Sequence, residues 1–240
     1  MPLVYGHRGA SAAERENTLA AFDTARRMGA DGVELDVRRT ADGALVVAHD
    51  PLLADGRALV SLDRAELPSD VLELHEALDA CTGIVVNVEI KNLRADPDFD
   101  PGQSVATGVV ELLAARRSRA AGGGRASRPD RVLVSSFNLD TVDHVRALDP
   151  AIATGVLVTM VEDTEVDAVV ERTRAAGHGA LHPYDAFVTP RLVETCAVAS
   201  LAVNAWTVND PARIVELVDM GVAGIVTDVP DVALAVLGRG

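Results

Sequence analysis

A chain of 240 residues with 48% hydrophobic side chains has enough apolar mass for one well-buried core, at a length where α/β barrels run as a single domain, here 1–240. Lys plus Arg total 22 against 36 for Asp plus Glu, a net charge of −14, and aromatics are only 3%, which argues against nucleic acid as a partner and against anchoring on anionic lipid. Cys81 and Cys196 form no CxxC pair, no apolar run approaches the roughly eighteen residues of a membrane span, and the first residues lack a basic, then apolar, leader pattern; the expectation is a cytoplasmic protein without a stable membrane anchor.

Short Val/Leu/Ile-rich runs alternate with Ala/Arg/Glu stretches of helical period, the pattern of parallel strands with crossover helices. In chain order the predicted strands are 3–6, 32–36, 84–90, 132–136, 153–157, 179–182, 201–205 and 223–227, and the helices after them 17–28, 73–81, 102–120, 138–148, 163–175, 189–198, 210–220 and 230–237. Asn17 and Asn209-Asp210-Pro211 carry helix-start signals. Eight βα units in one domain of this length predict a closed (β/α)8 TIM-type barrel. The run 44–48 follows 32–36 too soon for a crossover, and Asp42-Gly43 between two apolar runs is a two-residue hairpin signal. If Ala41 faces Ala44, Asp36 lies opposite His49, and the hairpin returns His49 to the barrel mouth. The Ala/Arg/Gly-rich stretch 114–128 reads as a flexible loop on the face away from the active site.

Catalytic groups of such barrels sit at the C-terminal ends of the strands, and the unusual polar residues of this chain gather there. The first strand ends in His7-Arg8-Gly9, the second carries Glu34 and Asp36, the hairpin returns His49-Asp50, and the third carries Asn87, Glu89 and Lys91. Alternate residues share a strand face, so these carboxylates can point inward together. Two carboxylates about 4 Å apart repel by roughly 4 kcal/mol at an effective dielectric of 20, and Lys91 alone does not clearly cancel three. A divalent cation does, and oxygen-only ligands select a hard ion, Ca²⁺ or Mg²⁺, with Mn²⁺ a third choice. Two histidines beside it suggest acid–base chemistry, and Arg8 and Lys91 are cationic donors for an anionic substrate. The set suits phosphodiester cleavage. His49, on the hairpin at the rim, is expected to protonate the leaving group; His7, deeper, is expected to act as base.

The runs Gly6-His7-Arg8-Gly9, Glu16-Asn17-Thr18, 29–37, Thr40-Ala41-Asp42-Gly43, 46–50, Val88-Glu89-Ile90-Lys91, Ser136-Phe137-Asn138, 205–209 and 224–231 resemble, in order and over nearly the whole chain, the glycerophosphodiester phosphodiesterase family. The resemblance implies hydrolysis of glycerophosphodiesters to glycerol 3-phosphate and an alcohol. It implies His7 and His49 as the acid–base pair, and Glu34, Asp36 and Glu89 as ligands of one divalent cation. Arg8 and Lys91 would hold the phosphate, and Trp206 would line the pocket against the alcohol. The sequence departs from the family pattern at 51–57 and 72–76, which shortens the rim over the leaving group. His182, in Leu-His-Pro at a strand end, reads equally as a substrate contact or a structural histidine. For His75, His144 and His178 the structural reading dominates, and Thr227-Asp228 is expected to cap the last helix and brace the mouth. Competing readings are a phosphodiesterase acting on lysophospholipids or another phosphodiester, a catalytically silent metal- or phosphate-binding barrel, and a metal-free sugar-phosphate isomerase, which the three carboxylates disfavour.

Overall fold

The computed structural model describes residues 1–121 and 131–240. Eight parallel strands close into a ring: β1 (Leu3–His7), β2 (Gly32–Arg39), β4 (Val85–Ile90), β5 (Arg131–Ser136), β6 (Ala153–Val158), β7 (Ala180–Pro183), β8 (Ala202–Ala205) and β9 (Gly224–Thr227). β1 pairs with both β9 and β2, which seals the barrel, and β3 (Leu45–Val47) lies outside the ring, antiparallel on β2. The helices are α1 (Leu19–Met28), α2 (Leu74–Ala80), α3 (Ser104–Ala121), α4 (Leu139–Leu148), α5 (Val166–Ala175), α6 (Pro190–Val198), α7 (Pro211–Met220) and α8 (Pro230–Val236). None of the described helices is long and apolar enough to cross a membrane.

Alternation along the strands sorts the side chains. Val33, Leu35, Val37, Val86, Val88 and Ile90 are buried under the helices, while Glu34, Asp36, Asn87 and Glu89, between them in sequence, point into the barrel. Tyr5 plugs the interior below the site, and it fits because its neighbours are glycines: a Cβ on Gly32 or Gly224 would stand 2.7 or 3.0 Å from its ring.

Three expectations need correction. The hairpin register is shifted by one: Val37 faces Val47 and Arg38 faces Val46, so Asp36 lies opposite Ala48, whose N–H donates to the Asp36 carbonyl at 3.1 Å. The cause is a three-residue loop closed by Thr40 and Ala44, with Gly43 in the left-handed region (φ +84°) and the Ala44 N–H donating to Thr40 Oγ1 at 2.9 Å. The cap of α1 is Thr18, which accepts from the Ala21 N–H, and not Asn17, which is itself left-handed (φ +56°). The stretch read as a flexible loop over 114–128 begins as helix, since α3 continues to Ala121; 122–128 lies outside the described residues. The Asp210-Pro211 start of α7 is observed as expected, with Asp210 accepting from Ala212 N–H.

Candidate active site

The strand ends, the hairpin and the following loops enclose a cavity of about 240 Å³ that His7, Arg8, Glu34, His49, Glu89 and Lys91 all line, with Trp206 on its wall. Asp36 lies beneath, 1% exposed. Glu34, Asp36 and Glu89 are all buried, and one oxygen from each falls within 4.8 Å of the others. The register accounts for this: Glu34 on β2 sits beside His7 on β1 and Asn87 on β4, and Asp36 sits beside Glu89.

Cations are threaded through the acids. Lys91 Nζ lies 2.7 Å from Glu89 Oε1 and 3.1 Å from Asp36 Oδ1. Arg8 Nε lies 3.3 Å from Asp36 Oδ2, its Nη1 pairs with Glu16 at 2.9 Å, and its backbone N–H donates to Glu34 Oε2 at 3.0 Å. Burial alone would lower the pKa of Lys91, but the Glu89 and Asp36 charges reverse that and hold it protonated. Asp36 is the acid these cations serve: burial opposes its ionisation, yet Lys91, Arg8 and the Asn17 amide, 2.9 Å away, keep its pKa below the usual range. Glu34 is left over. Burial first, then the Asp36 charge, push it up to about 8, and its Oε1 is buried without a hydrogen-bond partner.

The two histidines differ. His7 Nδ1 is 2.6 Å from Asp228 Oδ1. Burial would lower its pKa, but the Asp228 hydrogen bond and the Glu34 charge raise it above the ordinary value. Asp228 in turn falls to about 2, chiefly through His7, and also accepts from Asn209 at 2.6 Å and Ser11 at 2.9 Å. His49 Nδ1 lies 2.8 Å from Asp50, but burial and the neighbouring Lys91 lower its pKa. These directions run opposite to the expectation that His49 is the acid and His7 the base. Arg38, 3% exposed, positions His49: its Nε donates to the His49 carbonyl at 2.8 Å while Nη1 and Nη2 hold Asp98 and Asp96.

Every residue singled out for chemistry therefore reaches one mouth. Sequence reasoning missed the Asp228 partner of His7, although Thr227-Asp228 was read as bracing the mouth; it missed Asn17 as a donor to Asp36 and Phe137 as cavity wall, although both lie in the quoted motifs. Arg38 offered no signal beyond being a charge on a strand. The expected capping of the last helix by Thr227-Asp228 is not observed: Val229 is the N-cap of α8, without a side-chain cap, Thr227 Oγ1 accepts from the Val229 N–H ahead of the helix, and the Asp228 carboxylate is taken by His7, Ser11 and Asn209. His178 pairs with Thr154 and Asp143, His144 with Thr107, and His75 with Glu73, all away from the mouth.

Fold and mouth together define a (β/α)8 hydrolase with a metal-competent acid cluster. The model of the glycerophosphoryl diester phosphodiesterase family matches residues 7–232, so the chain belongs to that family and is a phosphoric diester hydrolase. A curated glycerophosphodiester phosphodiesterase of Caldanaerobacter subterraneus is 30% identical, covering 99% of this chain and 98% of the relative. Among solved structures, a glycerophosphodiester phosphodiesterase from Thermotoga maritima is 28% identical, covering 100% of this chain and 99% of its own, with a TM-score of 0.79. An Oleispira antarctica phosphodiesterase in complex with the product sn-glycerol-3-phosphate is 26% identical, covering 99% and 97%, with a TM-score of 0.85.

Proposed function

We propose that this chain, as one catalytic barrel over 1–240, hydrolyses glycerophosphodiesters such as glycerophosphocholine to glycerol 3-phosphate and an alcohol, with one divalent cation held by Glu34, Asp36 and Glu89. The observation that carries the reading is the convergence of three buried carboxylates, two histidines and two cations on one cavity. The residues fit a cation: the donors are all oxygen, suiting Ca²⁺ or Mg²⁺ and tolerating Mn²⁺, and the buried Glu34 Oε1 lacks any partner. Bound there, a divalent ion supplies charge stabilisation to the phosphoryl oxygens as the bond breaks.

The chain's own groups do the rest. Lys91 and Arg8 line the cavity as fixed positive charges and hold the phosphate, which the protein's overall charge of −14 would otherwise repel. His49, favoured neutral, takes the proton from the attacking water as its oxygen bonds to phosphorus. His7, favoured charged by Asp228, gives a proton to the departing alkoxide oxygen, so protons balance over the cycle. Asp228 fixes the ring through Nδ1 and leaves Nε2 for the transfer. Trp206 packs the wall against the organic part of the substrate. Both thiols are buried and free, which suits a cytoplasmic setting. The deciding assay is release of glycerol 3-phosphate from a panel of glycerophosphodiesters, with and without chelator. Turnover of at least one diester, abolished by chelation and restored by Ca²⁺, Mg²⁺ or Mn²⁺, is expected; no release from any of them contradicts the reading.

A further inference from the structure

The cavity has two unlike walls. Around the ring β7 stands diametrically opposite β2, with β1, β9 and β8 between them on one side and β4, β5 and β6 on the other. The acids, His7 and Lys91 come from β1, β2, β4 and its end, whereas the far arc contributes Phe137, Leu157, His182, Trp206 and Val226. The only polar ring nitrogens on that arc are those of Trp206 and His182, and Trp206 Nε1 is already committed, donating to the His182 carbonyl at 2.8 Å.

His182 is 1% exposed. Its Nε2 faces the Asn204 amide nitrogen at 3.0 Å, so the amide donates, Nε2 accepts, and the single proton of the neutral ring sits on Nδ1. That Nδ1 is buried and has no hydrogen-bond partner. The space for the ring comes from Gly155, where a Cβ would stand 2.6 Å from Nε2. Burial lowers the pKa to about 4, so the ring is neutral at physiological pH. His182 lines the cavity, and an unmet buried N–H on its ring is costly to the fold unless something that enters the cavity accepts from it.

We infer that His182 Nδ1–H is a substrate-binding donor that takes a carbon-bound hydroxyl of the organic portion of the substrate, the glycerol moiety in the function proposed above, on which this inference rests. A phosphate finds its cations on the opposite wall, and a quaternary ammonium group cannot accept a hydrogen bond. A polyol can, and its C–H faces suit Phe137, Leu157 and Trp206. The glycerol end therefore lies against β7 with the other alcohol directed out through the rim.

The test compares glycerophosphocholine with propylphosphocholine, which lacks both hydroxyls, following choline release from each. His182→Phe should lose about 10- to 100-fold in kcat/KM on the first and change less than about threefold on the second; His182→Asn, which restores an N–H near the same position, should recover part of the loss. Equal losses on the two substrates, or no loss on either, overturn the inference. A second readout needs no variant: in the wild-type protein, glycerol 3-phosphate should shift the imidazole N–H resonance of His182 and propyl phosphate should not. An unmoved resonance with bound glycerol 3-phosphate also overturns it. If wild-type protein releases no choline from glycerophosphocholine, the parent reading falls and this one with it; wild-type turnover with indifferent variants removes only the role of His182.

Discussion

The two arcs of the mouth are built on opposite physics. At the ends of β1, β2 and β4, three buried carboxylates, the buried Lys91 and the part-buried Arg8 lie within a few ångströms of one another, an arrangement whose desolvation cost well-packed apolar side chains would not carry. On the far arc, Phe137 and Tyr184 pack against Trp206, with centroids 5.4 and 5.3 Å from its ring, and the Trp206 indole N–H donates to the carbonyl of the buried His182. The contrast separates what is held for chemistry from what is held for shape. Changes on the charged arc should cost activity out of proportion to stability, and changes on the aromatic arc should alter which organic group is accepted.

The largest effect should come from the histidines. His7→Ala and His49→Ala should each lose about 10²- to 10⁴-fold on glycerophosphocholine. A nitrophenolate leaves without needing a proton, so on a nitrophenyl phosphodiester His7→Ala should keep far more activity than His49→Ala. Selective rescue of His49→Ala instead would restore the assignment read from rim position. The aromatic arc gives the next effect, in stability. The folded pKa of His182, about 4, lies below the ordinary value near 6.5, so between these pH values the unfolded chain binds a proton that the fold refuses. Stability is complete above about pH 6.5 and falls by about 3 kcal/mol as pH drops to 4. Denaturant titrations should show His182→Phe losing that acid-side slope; an unchanged slope would place the sensitivity elsewhere. Lys91→Met should lose about 10²-fold in kcat/KM, about 2.7 kcal/mol, and near-wild-type kinetics would mean the phosphate is held by other groups. Smallest is the stability effect of Glu34→Gln in metal-free protein, which replaces a buried carboxylate whose Oε1 has no hydrogen-bond partner and should leave thermal stability unchanged or raised by about 1 kcal/mol. A marked fall in the midpoint would show that Glu34 serves the fold.

Much of this was legible because the periodicities are local. Period-two alternation placed Glu34 with Asp36, and Glu89 with Lys91, on one face, and the structure brings them together. The strand count and helix order follow from the same signal. What depended on tertiary contact was not legible: Asp228 reaches His7 across 221 residues, Asn17 gives up the cap to Thr18 and turns to Asp36, and Arg38 ties the His49 arm to Asp96 and Asp98. The hairpin register slipped by one because Gly43 can adopt the left-handed conformation that closes a three-residue loop, an outcome the Asp-Gly pair alone does not distinguish from a two-residue turn. The pKa order of the histidines likewise follows from the burial of His49, with Lys91 beside it, and from Asp228 at His7, none of which is read from the residues adjacent in sequence.

The central claim is that the charged arc is a divalent-cation site serving hydrolysis. Calorimetric titration of Ca²⁺, Mg²⁺ and Mn²⁺ into exhaustively chelated protein, with glycerol 3-phosphate release followed on the same samples, tests it most directly. One ion should bind per chain and restore turnover in step with occupancy, and Glu34→Gln with Glu89→Gln should abolish both. Full turnover in chelated protein, or undiminished metal affinity in the double variant, would contradict the account.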